Sequence, residues 1–180
     1  FGQFPASFTE ESPHQWMHRM MLHADFRLRN SARFFVQLNN TTRSLNPNPI
    51  TSQLDENQLA VHQWFLESNL SRHWLLRAGR QEMQFGQERF VATKEGPNTR
   101  QSFLGITAEG KYPGYKIDAF YVKPVRMNVG IFDDGLMDEE FGGIYAVKTD
   151  KKRQLNVDAY YFYLESIQRE YVFKKGLEQR

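Results

Sequence analysis

A chain of 180 residues is long enough for one domain with its own core, and its formal net charge of +2 gives no indication of a nucleic-acid partner. It contains no cysteine, which excludes disulfides, thiolate metal sites and a thiol nucleophile. Aromatic residues make up 14% of a chain whose mean hydropathy is -0.65, a combination that suits strands better than helices. No run approaches the ~18 apolar residues of a membrane helix, although a barrel strand needs only ~10 residues with one apolar side.

Regular alternation of apolar and polar residues begins at Met17 and predicts β-strands, because helical spacing would mix the two sets. Residues 1–13 are rich in turn-forming residues and are predicted to be a loop. Strands are predicted at about residues 15–28, 32–42, 58–67, 73–82, 102–109, 115–123, 142–148 and 154–165. The tail from Tyr171 to Arg180 resembles the start of a further strand. We expect residues 1–180 to form a single β domain.

The stretch from His73 to Glu82 shows the alternation together with strong polarity. Its apolar side carries Trp74, Leu76 and Ala78, and its polar side carries Leu75, Arg77, Gly79 and Gln81. An arginine in the middle of a strand needs water or a partner. The stretch therefore predicts a sheet with one apolar face and one wet, charged face.

The predicted connections alternate between short and long. Short turns fall near residues 29–31, 68–72, 110–114 and 149–153, and long loops at about 43–57, 83–101 and 124–141. Bacterial outer-membrane barrels have this alternation, with tight periplasmic turns and longer extracellular loops. If the strands are antiparallel neighbours, all the short turns should lie at one rim and all the long loops at the other.

The alternating faces are compatible with two classes of protein. In a soluble ligand-binding barrel or sandwich the apolar face points inward, whereas in a membrane barrel it faces lipid. Three features favour the membrane barrel: strands longer than the usual ~5–6 residues, polar faces of mixed charge, and Tyr and Trp near strand ends. Those aromatic residues are Trp64, Trp74, Tyr112, Tyr115 and Tyr163.

The period-two pattern assigns residues to the two faces of this expected antiparallel, up-and-down transmembrane β-barrel. The lumen face is predicted to carry Arg19, His23, Asp25, Arg27, Arg33, Gln37, Gln63, Glu67, Arg77, Gln81, Lys116, Asp118, Asn156 and Asp158. The lipid face is predicted to carry Leu22, Phe26, Phe34, Val36, Leu76, Ile117, Tyr121, Val157 and Tyr161.

Basic residues gather around the His73–Glu82 stretch and the loop after it, namely Arg77, Arg80, Arg89, Lys94, Arg100 and Arg126. One hypothesis is a positive constriction for an anionic solute, in which Arg77, Arg80 and Arg100 meet where the long loop folds into the lumen. The alternative is a structural network in which the arginines pair with Glu82, Glu88 and Glu95.

Other chemistries find little support. The acidic run Asp133, Asp134, Asp138, Glu139 and Glu140 lacks the spacing of an EF-hand loop, so a solvated loop is favoured over a Ca²⁺ site. The five histidines show no zinc-like pair beyond His14 and His18. No nucleophile elbow is present, so an outer-membrane hydrolase remains only an alternative. We expect no enzymatic activity, no catalytic residues, no metal and no cofactor.

The chain resembles the alginate-export family of outer-membrane barrels over about residues 15–180. The resemblance rests on Leu22-His23-Ala24-Asp25 with Arg27, Gly79-Arg80-Gln81-Glu82, Phe85-Gly86 with Arg89, Glu95-Gly96-Pro97-Asn98, Arg100, Ser102-Phe103, Gly105, Asp118-Ala119-Phe120 and Phe132-Asp133-Asp134. It implies a monomeric barrel in the bacterial outer membrane that exports an anionic polyuronate passively through an arginine-lined pore. It also implies that this chain is about eight strands of a larger barrel.

The chain departs from the family pattern at three positions. His62 and Gln63 occupy the places of a pore-lining arginine and glutamate, and Glu82 ends a motif that finishes with arginine in the family. Fewer arginines mean that the resemblance does not identify the solute as alginate. The expected partners are the outer-membrane lipid bilayer and an anionic oligo- or polysaccharide or other organic acid. The predicted pore lining is Arg19, His23, Asp25, Arg27, Gln63, Glu67, Arg77, Arg80, Gln81, Glu82, Arg89, Arg100, Lys116 and Asp118.

Overall fold

A computed structural model of the chain describes residues 16–28, 31–43, 56–86, 98–150 and 152–166. Its strands are β1 (Met17–Leu28), β2 (Ala32–Arg43), β3 (Asn57–Asn69), β4 (Trp74–Gln81), β5 (Phe103–Tyr112), β6 (Tyr115–Arg126), β7 (Gly135–Leu136), β8 (Glu139–Asp150) and β9 (Leu155–Ser166). Within the described residues there is no helix that could cross a membrane.

The strands form one antiparallel sheet in the order β1-β2-β3-β4-β5-β6-β8-β9, and β7 pairs with β6 beside this path. This confirms the predicted all-β, antiparallel, up-and-down arrangement. Across the described ranges the sheet is open, because β1 and β9 each have a single neighbour and do not pair with each other.

Eight of the strands correspond to the predicted ones, with ends that differ by a few residues. The largest difference lies in the predicted loop at 124–141, where β6 continues to Arg126 and β8 already begins at Glu139. Glu139 and Glu140 continue the ladder by pairing with the end of β9. Their charges suggested a loop, but the backbone at a sheet rim can pair while the side chains meet water.

The short connections lie together at one rim, which we call the short-turn rim. The backbone N–H groups of Asn69, Lys111 and Thr149 donate to carbonyl groups in the neighbouring turns, over distances of 3.1, 2.8 and 2.9 Å. The long connections leave from the opposite rim, the long-loop rim, as antiparallel neighbours require. The two-rim prediction is confirmed for the described strands.

One face of the sheet, the outer face, exposes large apolar side chains along its whole width. Residues of this face that are between 38% and 71% exposed include Met20, Leu22, Phe26, Phe34, Leu66, Ile106, Tyr121, Ile144, Val157 and Tyr161. Every residue of the predicted lipid-facing set lies on this face by strand register. A soluble protein rarely exposes so broad an apolar surface, whereas a barrel wall in lipid requires one.

Aromatic residues on the outer face also gather at the short-turn rim. Tyr112 and Tyr115 are cross-strand partners there, 40% and 49% exposed. The indole Nε1 of Trp74 donates a 2.9 Å hydrogen bond to the Tyr112 hydroxyl. Amphipathic rings at this level are typical of the boundary between lipid and water.

Candidate channel lining

The opposite face, the inner face, carries every residue of the predicted lumen set by register. These are Arg19, His23, Asp25, Arg27, Arg33, Gln37, Gln63, Glu67, Arg77, Gln81, Lys116, Asp118, Asn156 and Asp158. The start of the β4–β5 connection folds onto the same face, where Met83 is buried among Phe103, Phe120 and Val122. The inner face therefore carries the predicted polar residues and is partly covered by this connection.

Five charged residues on β1 to β4 form what we call the arginine cluster: Asp25, Arg27, Arg33, Glu67 and Arg77. Arg33 Nε lies 2.9 Å from Asp25 Oδ1, and Arg33 Nη1 lies 3.7 Å from Glu67 Oε2. Arg77 donates to the same Glu67 oxygen through Nη2 at 2.7 Å and Nε at 3.0 Å. Neighbouring strands thus place opposite charges side by side across the sheet.

The arginine cluster has one more positive than negative charge. Arg27, its most exposed member, has a side chain that is 77% exposed and lies 3.9 Å from Asp25. An open cavity of about 490 Å³ lies beside it at the short-turn rim and is lined by Arg27, Arg33, Glu67 and Asn69, among others. A carboxylate entering this cavity would meet guanidinium groups with spare donors.

Two phenylalanines on the inner face hold the guanidinium groups in place. The Phe35 and Phe65 rings stack with centroids 5.0 Å apart, and Arg77 Cζ lies 4.5 Å from the Phe65 centroid. Arg33 Cζ lies 5.3 Å from the Phe35 centroid. Such contacts orient a cation without neutralising it. The predicted lumen set contains only polar residues and therefore lacks both rings, although period two places them on the same face.

A second charged group lies farther along the inner face on β5 and β6. Lys116 Nζ lies 3.0 Å from Glu109 Oε2 and 3.1 Å from Asp118 Oδ2, and Lys111 also reaches Glu109. A cavity of about 130 Å³ between this group and Arg77 connects it to the arginine cluster. Lys116 and Asp118 were predicted to line the pore, whereas Glu109 was not assigned.

A β-bulge explains why the third predicted strand alternates poorly. Gln37 pairs with Gln63 but Leu38 pairs with Val61, which leaves His62 as the extra residue. His62 is 1% exposed, and its Nε2 lies 2.7 Å from Glu82 Oε1. The side-chain oxygen Oε1 of Gln63 accepts a 3.1 Å hydrogen bond from the Glu82 backbone N–H.

His62, Gln63 and Glu82 therefore lie next to one another. His62 and Arg100 contact the same oxygen of Glu82, Oε1. The distance from Arg100 Nη1 to this oxygen is 3.7 Å. The Gln63 side chain also donates a 2.9 Å hydrogen bond to Gln37. The side chains at positions 62, 63 and 82 make one connected polar group on the inner wall.

Arg80 lies in a buried network at the long-loop rim. Its guanidinium donates to Ser102 Oγ at 2.9 Å and to Asp134 Oδ2 at 2.8 Å. Asp134 also accepts from the side chain of Asn57 and from the backbone N–H of Asn128, each at 3.0 Å. By register Arg80 lies opposite Trp64, out of phase with Arg77. The structure thus separates Arg77, Arg80 and Arg100, which contact three different carboxylates, those of Glu67, Asp134 and Glu82.

The end of the β4–β5 connection contacts the start of the sheet. Arg19 Nε donates a 2.7 Å hydrogen bond to the Asn98 carbonyl, and the Asn98 amide donates to the carbonyl groups of His18 and Thr42. The Thr41 and Thr99 hydroxyls lie 3.0 Å apart and are buried. This connection therefore reaches across the inner side as far as β1 and β2.

The acidic run from Asp133 to Glu140, which covers the end of the β6–β8 connection and the start of β8, directs its carboxylates to different partners. Asp133 accepts from the Gly130 backbone, Asp134 from Arg80, and Glu140 from Tyr121 while it lies 3.2 Å from Lys123. Within the described ranges, no three His, Asp or Glu side chains are grouped in a way that could hold a metal ion. Arg89, Lys94, Glu88 and Glu95 lie outside the described residues.

On β5 to β9 the inner face is lined by six aromatic side chains, which we call the aromatic wall: Phe103, Phe120, Phe141, Tyr145, Tyr160 and Phe162. Their neighbouring ring centroids are between 4.9 and 6.5 Å apart. Period two assigned residues of β9 to the two faces, but it gave no indication that inner rings of neighbouring strands join into one surface.

The comparison with known families agrees with the exposed apolar outer face and the charged inner face. A family model described as alginate export matches residues 7–180. No curated protein and no solved structure shows a comparable match. The matched span is nearly the whole sequence, and the chain therefore belongs to the alginate-export family, a family of outer-membrane transport channels.

Proposed function

We propose that this chain forms part of the wall of an outer-membrane channel, acting as a monomer, that passes an anionic solute such as an acidic oligo- or polysaccharide or another organic acid. The observation that supports the solute class is the arginine cluster, in which Arg27, Arg33 and Arg77 outnumber Asp25 and Glu67 beside an open cavity. Positive charge in a narrow pore attracts carboxylates strongly, because water screens it less there.

In the same proposal, the two carboxylates of the arginine cluster limit how strongly the cluster attracts an anion. Glu67 contacts both Arg33 and Arg77, so neither guanidinium presents its full charge to a passing anion. A channel must hold its solute weakly enough to release it. The cluster therefore attracts an anion through a small excess of positive charge rather than through an unpaired row of arginines.

The proposal differs from the constriction hypothesis because, of Arg77, Arg80 and Arg100, it keeps only Arg77 for solute attraction. Arg80 is 8% exposed and its charge is matched by Asp134, so its contribution is to hold the long-loop rim together. Arg27, Arg33 and Arg77 are the groups we assign to solute attraction. Arg19, His23, Gln63, Glu67, Gln81, Glu82, Arg100, Lys116 and Asp118 are proposed to complete the lining, and Arg89 remains a sequence-based proposal.

The outer face weighs against a soluble ligand-binding barrel. Leu22 and Tyr161, 68% and 71% exposed, lie on the same face at opposite ends of the sheet. A soluble barrel would turn these side chains into its core. Membership of a transport family also favours a channel over the hydrolase alternative.

The experiment is a reversal-potential measurement on the full-length protein in planar bilayers under a salt gradient. The test variant is Arg27→Gln together with Arg77→Gln. Removing two positive charges should lower the anion-to-cation permeability ratio by about twofold or more, because each charge acts at short range in the pore.

The matched control is Arg153→Gln, since Arg153 is at the same rim, 81% exposed, in the β8–β9 turn. It should leave the ratio unchanged. An unchanged ratio in the double variant, or an equal change in the control, would contradict the anionic solute and favour the structural ion-pair network.

A further inference from the structure

A lysine stands among the exposed apolar side chains of the outer face near the short-turn rim. Lys148 of β8 pairs with Tyr115 of β6 and with Val157 of β9, whose side chains are 49% and 50% exposed on that face. A cation on a lipid-facing strand is costly at the middle of a bilayer and tolerated near its surface. Lys148 lies two residues before the end of β8, which places it at the level of that surface.

The positive charge of Lys148 is not matched within the sheet. A second lysine on the outer face, Lys123, lies 3.2 Å from Glu140 at the long-loop rim. Lys148 instead contacts the Tyr115 ring, with Nζ 5.5 Å from the centroid, and no carboxylate among the described residues forms an ion pair with it. A cation–π contact orients the ammonium group without neutralising it. Lys148 therefore presents an uncompensated charge where the apolar outer face ends.

An open cavity of about 590 Å³ lies beside Lys148, at the β5–β6 and β8–β9 turns. The backbone N–H of Thr149 donates a 2.9 Å hydrogen bond to the Gly114 carbonyl, which holds these two turns together. The volume is in the usual range for small-ligand sites. The cavity is lined, among others, by Tyr112, Tyr115, Lys148 and Lys152.

The other charged groups at the cavity already have partners. Asp150 accepts hydrogen bonds from the backbone N–H groups of Lys152 and Arg153, at 3.0 and 3.2 Å, and lies 3.8 Å from the Arg153 guanidinium. Lys116 pairs with two carboxylates of the inner face. Among the described residues that line the cavity, the ammonium groups of Lys148 and Lys152 are thus left for a ligand.

We propose that this cavity binds the phosphate headgroup of an anionic phospholipid in the periplasmic leaflet, on which short turns open in such barrels. Lys148 and Lys152 donate hydrogen bonds to the phosphate oxygens, and the Tyr115 ring holds Lys148 in position. The acyl chains lie along the apolar outer face beside Val157, which a free phosphate ion could not use. The site requires the sheet to be a membrane wall, but it does not depend on which solute passes through the lumen.

The test counts phospholipid molecules bound to the full-length protein in detergent by native mass spectrometry. The titrants are phosphatidylglycerol and phosphatidylcholine with identical acyl chains, which differ in headgroup charge. The wild-type protein should bind phosphatidylglycerol about tenfold more tightly, because two positive charges lie at the headgroup level. Lys148→Gln with Lys152→Gln should remove this preference and leave the two dissociation constants within about twofold of each other.

The matched control is Lys123→Gln with Arg153→Gln. It also removes two positive charges, one from the outer face and one from the β8–β9 turn, at positions outside the described lining of the cavity. It should keep the preference for phosphatidylglycerol. Lys148→Arg retains the charge and should bind phosphatidylglycerol within about threefold of wild type. Heat-modifiable mobility in electrophoresis confirms that each variant is folded.

Inorganic phosphate is the competitor that distinguishes a lipid from a free anion. At millimolar concentration it should not displace phosphatidylglycerol, because it buries no hydrocarbon on the outer face. Displacement would overturn the lipid as the ligand. Equal binding of the two lipids by wild type, or an equal loss of preference in the control and the lysine variant, would overturn the site. A channel that discriminates the two lipids through these lysines but shows no anion preference would support the site and contradict only the proposed solute.

Discussion

Arg80 and Asp134 are joined by a 2.8 Å hydrogen bond although 54 residues separate them in the chain. Their side chains are 10% and 5% exposed. The pair connects the end of β4 to the β6–β8 connection, and Asn57 at the start of β3 joins it through Asp134. One buried ion pair therefore holds three parts of the long-loop rim together.

Replacing Arg80 with alanine should destabilise the protein strongly. The Asp134 carboxylate would remain buried without its cation, and breaking a buried pair in this way costs about 3–5 kcal/mol. The measurement is the free energy of unfolding by urea in lipid vesicles. Arg153→Ala is the control, because its partner Asp150 lies 3.8 Å away at an exposed turn, and should change the free energy by less than about 0.5 kcal/mol.

A double-mutant cycle decides whether the effect comes from the pair itself. Arg80→Ala with Asp134→Asn should be more stable than the sum of the two single effects predicts, because neither charge is then left alone. Additive single effects would show that the two residues act independently and would contradict the assignment.

The sheet and its two faces could be predicted from the sequence because they depend on local, period-two information. Leu22 and Tyr161 were placed on the outer face by alternation alone, and the register agrees. The partners of Arg80 could not be predicted this way. They depend on the path of two long connections, which no local pattern encodes.

The bulge at His62 could not be predicted from the sequence, for a related physical reason. One extra residue in β3 reverses the facing of the residues just before it, until a second register shift between Asn39 and Thr41 restores it, and nothing in the composition marks where this happens. The aromatic wall was missed for another reason. Phe120, Phe141 and Phe162 lie on three strands, so only the cross-strand register brings their rings together.

A charge on the outer face should be far more costly than the same charge one residue away. Leu22 is 68% exposed on the outer face, whereas His23 faces inward and its ring stacks on Phe35 at 5.6 Å. Leu22→Arg should lower the free energy of unfolding in lipid vesicles by about 2–4 kcal/mol, because arginine is unfavourable on a lipid-facing strand. His23→Arg should cost less than about 1 kcal/mol. Equal costs, or a cost for His23 alone, would mean that the outer face does not meet lipid.

A glycine is required at position 79, where β4 lies directly against Phe65 of β3. Its φ angle is 133°, and a Cβ there would lie 2.8 Å from Phe65 Cα and collide with the Trp64 carbonyl. Gly79→Ala should therefore prevent heat-resistant folding or reduce its yield severely. Gly135→Ala is the matched control, since a Cβ at that position has no neighbour within 4 Å. Normal folded yield for Gly79→Ala in an electrophoretic mobility assay would contradict the observed strand approach.

Glu67 controls how much positive charge the arginine cluster presents to the lumen. Its Oε2 lies 2.7 Å from Arg77 and 3.7 Å from Arg33, and its side chain is 13% exposed. Glu67→Gln keeps a hydrogen-bond acceptor of the same size but removes the negative charge, so the excess of positive charge in the cluster doubles. The anion-to-cation permeability ratio should rise about twofold in planar-bilayer reversal potentials.

The expected rise in the permeability ratio is opposite to the fall expected for Arg27→Gln with Arg77→Gln. The two variants therefore test the sign of the charge effect as well as its presence. Asp150→Asn is the control: it removes the same charge at the same rim, but Asp150 pairs with Leu155 of the outer face. That control should leave the ratio unchanged. If Glu67→Gln lowers the ratio, the glutamate positions the guanidinium groups rather than offsetting them. Solute attraction would then depend on the fixed positions of Arg33 and Arg77. Without Glu67 their guanidinium groups would move in water, and their charge would no longer be concentrated in the pore.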